Sequence, residues 1–159
     1  MKLYVNEKLL SIHNRYFIKD ETGNDVYEIS SRALSLGEKT TVMDMQGNQI
    51  AYIERELLHL VPVYNVYINN AFAFKISKRF HLFKNEYDLS NGYHVQGDFL
   101  SFDFQITDEN NRTVANIDHK LFTIGDKYEI DIFDESHIDI ILSIIVAITN
   151  DIDRRQRSN

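Results

Sequence analysis

The chain has 159 residues, enough for one domain with a buried core, and its 43% apolar and 26% charged residues are typical of a folded soluble protein rather than a disordered one. A formal net charge of −7 disfavours nucleic acid and anionic membrane surfaces as bulk partners, because both carry dense negative charge. The absence of cysteine excludes disulfides and thiolate chemistry, and the polar start MKLYVNEKLL predicts no export signal, so we expect a cytoplasmic protein.

Residues 1–133 have the composition of an antiparallel β-domain. Aromatic and β-branched residues dominate in short runs, and Asn, Asp and Gly break these runs where turns are expected. The stretches FAFKI and FLSFDFQI alternate between large apolar residues and smaller or polar ones, which predicts that one face of each strand points to the core. The residues predicted to face the core in these stretches are Phe72, Phe74, Ile76, Phe102, Phe104 and Ile106.

A single domain over residues 1–159 is expected, because no linker rich in Gly, Ser or Pro divides the chain. About twelve strands account for its apolar runs. The predicted strands lie near residues 2–7, 15–20, 25–30, 40–44, 49–56, 63–68, 72–77, 79–83, 92–97, 100–107, 113–118 and 127–133.

Three segments repeat one positional pattern, with an Asp at the end of an apolar strand and a Gly or Asn three residues later. The Asp carboxylate can accept hydrogen bonds from the backbone N–H groups of a turn, and Gly or Asn tolerates the positive φ of the reversal. The apolar residues that follow are three apart, which predicts a β-bulge or a strong twist. The matching positions are Asp20, Gly23, Val26 and Ile29; Asp44, Gly47, Ile50 and Ile53; and Asp108, Asn111, Val114 and Ile117.

The C-terminal stretch HIDIILSIIVAITNDID predicts a helix over Ile138–Ile152, despite its many β-branched residues. It contains no Gly or Pro, Ser136 and Asp139 resemble a capping box with Asp in place of Glu, and three arginines follow where cations suit a helix C-terminus. Only Asp139, Ser143 and Asn150 form a thin polar line on the helical wheel, so the helix must be buried in protein or in lipid. A strand is the alternative interpretation.

The length of the apolar stretch decides whether the helix is buried in protein or in lipid. A bilayer span needs roughly 20 predominantly apolar residues, whereas the stretch between Asp139 and Asn150 has ten residues and reaches only about 15 Å. No transmembrane segment is therefore predicted. A closed barrel of this many antiparallel strands is wide enough to hold a helix. The predicted fold class is mainly β (α+β): a closed antiparallel barrel of about twelve strands around a central hydrophobic C-terminal helix, with side chains such as Ile130 packed on that helix.

Four stretches, in chain order, resemble the LURP-one-related family, in particular its bacterial YxjI-like members: RYFIKDETGNDVYEIS, LSLGEKTTVMDMQGNQIAYIERELL, QGDFLSFDFQITDENNRTVANIDHKLF and DKYEIDIFDESHIDIILSIIVAI. The resemblance implies the tubby C-terminal-like fold, a twelve-stranded barrel around a central helix that tubby proteins and phospholipid scramblases share. Family members often carry an Asp directly after VAI, whereas this chain has Thr149 there and its acidic residue at Asp151. Tubby proteins bind phosphoinositides through basic residues of the barrel wall, and none of those residues is carried over to this chain.

No motif in the chain marks a metal, a cofactor or an active site. The six histidines have no ligand spacing and no cysteine to join them, and no P-loop, G-x-S-x-G or G-x-G-x-x-G occurs, so we expect no metal, no cofactor and no enzyme. Calcium binding by DETGND or DENN is disfavoured, because an EF-hand loop needs a longer set of oxygen ligands that ends in Glu and lies between two helices.

The one local excess of charge is the stretch FKISKRFHLFK. Its basic residues, which form the candidate anion or lipid-headgroup site, are Lys75, Lys78, Arg79 and Lys84. Such a cluster between aromatic residues could bind a phosphoinositide or another anion. The alternative, which the sequence favours, is a solvated hairpin turn whose charges protect a strand edge.

Three functions follow as hypotheses. The first is a non-enzymatic binding domain that recognises a phospholipid headgroup or a protein partner. The second is a membrane-associated, scramblase-like protein whose helix leaves the barrel and inserts, which the short apolar stretch opposes. The third is a hydrolase with an unmarked site.

Overall fold

A computed structural model describes residues 1–6, 15–34, 37–80, 85–99, 101–120 and 127–158. These residues form twelve strands and one long helix. The strands are β1 (Lys2–Asn6), β2 (Arg15–Lys19), β3 (Asp25–Leu34), β4 (Gly37–Asp44), β5 (Gln49–Arg55), β6 (Val63–Ile68), β7 (Ala71–Phe80), β8 (Asn85–Leu89), β9 (His94–Asp98), β10 (Asp103–Thr107), β11 (Thr113–Lys120) and β12 (Lys127–Ile132). A 3₁₀ turn, Glu135–His137, leads into helix α1 (Ile138–Ser158).

The sheet closes on itself, which confirms the predicted barrel. Each strand pairs antiparallel with its neighbours in the chain, and β1 pairs with β12 along five residues. Closure removes the open edges that a sheet of this size would otherwise expose. Two strand pairs have the fewest paired residues: among the described residues, β1 pairs with β2 only at Tyr4 and Lys19, and β8 pairs with β9 only at Asp88 and His94.

Helix α1 runs through the barrel and supplies the centre of the core. Its side chains from Ile141 to Thr149 are all buried, and they pack against inward residues of the wall such as Ile53, Phe74 and Ile130. The buried Ser143 hydroxyl donates to the Asp139 carbonyl at 2.6 Å, so this polar group is satisfied within the helix. No helix in the described part of the chain is both long enough and apolar enough to cross a membrane.

Helix α1 begins at Ile138 as predicted, but its capping residue and its C-terminal end differ from the predicted ones. Asp134, not Ser136, is the capping residue, since its carboxylate accepts from the Ser136 backbone N–H at 3.1 Å and starts the 3₁₀ turn. At the other end the helix continues past Ile152 to Ser158. This extension is stabilised by arginines of the last turns, which pair with carboxylates of the wall and of the helix itself.

The three predicted hairpins are confirmed in detail. In the first, one carboxylate oxygen of Asp20 accepts from the backbone N–H groups of Thr22 and Asn24, both at 2.9 Å, and Gly23 has φ +87°. The turns that start at Asp44 and Asp108 repeat these bonds. A register shift occurs in each hairpin, as the three-residue spacing predicted. The three carboxylates therefore stabilise the turns by accepting their backbone hydrogen bonds.

Two local predictions are wrong. Phe72 is 57% exposed, because a bulge shifts the register so that Val66 faces Phe74 but Tyr67 faces Phe72, which turns the Phe72 ring to the outside. The strands predicted at 72–77 and 79–83 are instead β7, which runs without interruption to Phe80, and β8, which begins at Asn85. Phe102 is buried as predicted, although it lies in the turn before β10.

The barrel has two ends that differ in charge. We call the end where α1 begins the acidic end, because the carboxylates in and beside its described turns outnumber its basic side chains Lys2, Lys19 and Arg112; these carboxylates are those of Asp20, Glu21, Asp44, Asp108, Glu109, Asp134 and Glu135. We call the end where α1 finishes the basic end, because the last turns of the helix bring arginines to it, although Asp151 and Asp153 lie in the same turns. The loop between β5 and β6 also lies at the basic end, since successive turns of an antiparallel barrel alternate between its ends.

Candidate functional site

The four residues of the predicted anion site do not share one face of the barrel. Lys75 and Arg79 point outward from β7, where Lys75 pairs with Glu56 at 2.8 Å and Arg79 pairs with Asp88. Lys78 has the opposite orientation, in phase with the buried Phe74 and Ile76, and its side chain is only 13% exposed. Lys84 lies outside the described residues. Strand alternation therefore separates Lys78 from its neighbours and turns it into the barrel.

Lys78 meets a buried carboxylate at the basic end, that of Asp151 in helix α1. Its ammonium lies 3.6 Å from Asp151 Oδ2, which also accepts from the Tyr87 hydroxyl at 2.7 Å. Arg155, one helical turn later, places its guanidinium 2.9 Å from the same carboxylate and donates to the Tyr87 oxygen at 3.1 Å. Asp151 is 1% exposed. A buried carboxylate thus joins two cations and a phenol that come from three elements.

A second layer of polar contacts surrounds this centre. Arg154 donates to Glu38 of β4 at 2.7 Å, and Asn150 donates to the Thr40 hydroxyl at 2.8 Å. Arg55 and Tyr64 are cross-strand neighbours on β5 and β6. We refer to the whole set as the basic-end cluster, which comprises Glu38, Arg55, Tyr64, Lys78, Tyr87, Asp151, Arg154 and Arg155.

The basic-end cluster contains buried polar atoms that no described group satisfies. These atoms are Tyr64 Oη, Asp151 Oδ1 and Arg55 Nε. A buried polar atom without a partner costs free energy, so such atoms are rare in native proteins and each needs an explanation. Tyr64 offers a donor and Asp151 an acceptor, and a water or a polar ligand could satisfy both. The cluster therefore has unused hydrogen-bonding capacity beside its ion pairs.

The charges of the basic-end cluster do not cancel. Within this set four cations, Arg55, Lys78, Arg154 and Arg155, stand beside two carboxylates, Glu38 and Asp151, so four minus two leaves +2 in a chain of net charge −7, and Asp153 of the same helical turn adds one carboxylate next to the set. Because interiors and semi-enclosed sites screen charge less than open water does, this local excess attracts anions more strongly than the same charges would on an open surface.

Burial shifts the pKa values of two side chains in the cluster, Lys78 and Tyr64. Desolvation lowers the pKa of Lys78; Asp151 opposes this effect, while Arg155 adds to it. Desolvation raises the pKa of Tyr64, the carboxylates of Asp151 and Glu38 raise it further, and the two nearby guanidinium groups oppose that rise. Desolvation is the largest cause of both shifts, which places the Lys78 ammonium and the Tyr64 hydroxyl at the edge of the core.

No other chemistry competes for this site within the described residues. No group of three or more His, Asp or Glu residues there could hold a metal ion. Tyr93 Oη contacts His137 Nδ1 at 2.6 Å at the acidic end, and His59 pairs with Glu56 in the loop between β5 and β6, so the partners of these two histidines lie outside the cluster. Asp151 is bound to a phenol and two cations and has no histidine or hydroxyl nucleophile among its contacts.

Sequence reasoning identified Lys78 but missed most of the cluster. Arg55 follows Ala51 and Ile53 at alternate positions, and Lys78 follows Phe74 and Ile76 in the same way. A charged residue in phase with buried ones at the end of a strand is the signal that could have revealed both. The contributions of Glu38 and Tyr87 required the register of the closed barrel, which the sequence pattern does not carry.

Comparison with known proteins supports the whole architecture. A family model described as LURP-one-related matches residues 1–149. The chain is 25% identical over 152 residues to the uncharacterized protein YxjI of Bacillus subtilis (strain 168), which covers 95% of this chain and 92% of that protein. An X-ray structure of an Arabidopsis thaliana protein superimposes with a TM-score of 0.63 at 14% identity and covers 96% of this chain and 90% of that one, which shows a shared fold.

Proposed function

This chain belongs to the LURP-one-related family. We propose that it is a single non-enzymatic binding domain of the cytoplasm that holds an anionic, phosphorylated ligand at the basic end of the barrel. The ligand's phosphate would lie against Lys78 and Arg155, and the partnerless Tyr64 hydroxyl would donate to it. Phosphate suits this arrangement because guanidinium and ammonium groups form charge-assisted hydrogen bonds to its oxygens.

One observation carries the proposal: four cations face two carboxylates at the edge of the core, together with buried polar atoms that lack partners. A cluster that served stability alone would be expected to balance its charges and to satisfy its hydrogen bonds, because a half-satisfied buried network costs more than an apolar core. An anion supplies negative charge and an acceptor for the two unpartnered donors, Tyr64 Oη and Arg55 Nε.

The outward residues of the predicted basic stretch have a secondary role in this proposal. Lys75 and Arg79 already have carboxylate partners on the wall, and exposed pairs of this kind contribute little. Their positive charge would attract an anion toward the barrel end. The ligand itself would be held by the inward Lys78.

Calorimetric titration with inositol hexakisphosphate, a soluble polyanion, tests the proposal at about 0.15 M salt, where exposed charges are screened. We expect the unmodified protein to bind, and we expect Lys78→Gln combined with Arg155→Gln to bind at least about tenfold more weakly, because two charge-assisted contacts are lost. Lys19→Gln is the matched control, since Lys19 is exposed and ion-paired at the acidic end.

Melting curves of all three proteins accompany the titration, so that lost binding is not confused with lost folding. Equal affinities for the double variant and the Lys19 control would contradict a site at Lys78 and Arg155. Absence of any binding by the unmodified protein would end the proposal of a phosphorylated ligand.

A further inference from the structure

The loop between β5 and β6 places solvent-exposed leucines at the basic end. Leu58 and Leu60 are fully exposed, at 104% and 106% of the reference accessibility, and Leu57 is 42% exposed. Scattered exposed apolar residues are normal in proteins. Three leucines in four positions of one loop, two of which touch nothing in the domain, are not scattered, and such an arrangement marks an interaction site.

The base of this loop is held firmly. The Glu56 backbone N–H donates to the Val63 carbonyl at 2.8 Å, and the Lys78 backbone N–H donates to the Pro62 carbonyl at 3.0 Å. The Glu56 side chain pairs with Lys75 at 2.8 Å and with His59. The leucines therefore project from an anchored loop, and Leu58 does so from a left-handed backbone conformation, φ +65°, that β-carbon-bearing residues seldom adopt.

Basic residues adjoin both ends of the leucine loop (residues 56–62). The loop contains one carboxylate, Glu56, which Lys75 neutralises, and the loop starts beside Arg55 of the basic-end cluster. Lys78, through its backbone, is hydrogen-bonded to the end of the loop. An apolar tip beside basic residues matches the cross-section of a bilayer surface, where hydrocarbon lies beneath anionic headgroups.

We propose that the leucine loop, residues 56–62, inserts Leu58 and Leu60 into the surface of an anionic lipid bilayer while the basic-end cluster binds a headgroup phosphate. This inference rests on the proposed function and specifies its ligand as a phosphate presented by a membrane. The acidic end then faces away from the bilayer, so the difference in charge between the two ends fixes the orientation of the barrel.

A protein partner fits these observations less well. A stable protein interface covers about 800 Å² on each partner, whereas the exposed apolar area here is confined to three side chains of one loop. A bilayer needs no complementary shape, and a few inserted leucines together with basic contacts are enough for reversible attachment.

Tryptophan fluorescence provides the first test, because the chain contains no tryptophan. Leu60→Trp places a single reporter on the loop, and Met45→Trp places one at an exposed apolar position, 44% accessible, in a turn at the acidic end. With vesicles of phosphatidylcholine and phosphatidylserine, we expect a blue shift for the Leu60→Trp protein and none for the Met45→Trp protein. Equal shifts, or a shift only at position 45, would overturn the proposed orientation.

Flotation with the same vesicles gives the second test, and it separates the two proposals. Leu58→Asn combined with Leu60→Ser is expected to weaken flotation at least about tenfold and to leave the titration with inositol hexakisphosphate unchanged. Asn suits the left-handed backbone at position 58, so folding should not suffer.

Flotation that is unchanged in the leucine variant would overturn insertion and leave the anion site in place. Binding of inositol hexakisphosphate without any flotation of the unmodified protein would overturn the membrane as the source of the phosphate. Failure of both assays would reject the proposed function together with this inference.

Discussion

Replacing Ile145 with Asp is expected to abolish soluble folding. Ile145 is 6% exposed in the middle of α1, next to the apolar side chains of Phe102 and Tyr128, and no described cation is among these neighbours. Burying an unpaired carboxylate costs several kcal/mol, in addition to the lost apolar contacts of about 2–3 kcal/mol. This sum is comparable to the whole stability of a domain, about 5–15 kcal/mol. Expression in the soluble fraction and far-ultraviolet circular dichroism measure the outcome.

Leu60→Asp provides the matched control, since it makes the same chemical change at a side chain that is fully exposed. We expect this protein to be soluble, with a free energy of unfolding within about 0.5 kcal/mol of the unmodified value. An Ile145→Asp protein that is soluble and cooperatively folded would show that α1 does not occupy the centre of the barrel.

Replacing Asp151 with Ala should destabilise the protein by about 3 kcal/mol. The substitution leaves Lys78 and Arg155 next to each other without their shared carboxylate, and removing one partner of a buried ion pair is costly for this reason. Asp151→Asn should cost less, about 1–2 kcal/mol, because an amide oxygen still accepts from the Tyr87 hydroxyl. Urea unfolding monitored by circular dichroism gives these free energies.

A surface carboxylate serves as the reference for that measurement. Asp118 pairs with Lys120 at 3.6 Å, and both side chains are about 40% exposed, so Asp118→Ala should change the free energy of unfolding by less than about 0.5 kcal/mol. If Asp151→Ala were as mild as Asp118→Ala, the basic-end cluster would not be a coupled network. If Asp151→Ala increased the affinity of the protein for inositol hexakisphosphate, the Asp151 carboxylate would be shown to compete with the anion.

The barrel and its helix could be predicted because each depends on local patterns. The hairpin turns carry their own capping Asp and their own residue of positive φ, so their geometry is encoded within five residues, as at Asp44 and Gly47. The central position of α1 follows from a helix that is apolar nearly all round and too short to span a bilayer. Neither inference requires knowledge of distant contacts.

Features that depend on register could not be predicted. A single bulge opposite Tyr67 sends Phe72 outward, although its sequence alternation is perfect, and no residue type marks the bulge in advance. The capping residue Asp134 lies two residues before the predicted cap, Ser136, because a 3₁₀ turn precedes the helix. Local propensity does not reveal such shifts, which arise from how the strands meet.

The basic-end cluster was the hardest part to foresee, for a related reason. The basic stretch of β7 reads as one cluster in sequence, yet a strand divides its side chains between two faces, and only Lys78 enters the barrel. Its partner Asp151 lies 73 positions later and reaches it only because α1 runs through the barrel to the basic end. The residues of such a cluster come together only when the barrel has formed around the helix.

Amide hydrogen exchange, with and without inositol hexakisphosphate, tests the central claim most directly. The account predicts slower exchange on binding at the basic end, in the last strand residues near Arg55 and Lys78 and in the helix around Asp151 and Arg155, with no change in the acidic-end turn that starts at Asp44. Protection confined to the acidic end, or to the outer wall around Lys75 without any effect on the last turns of the helix, would contradict it.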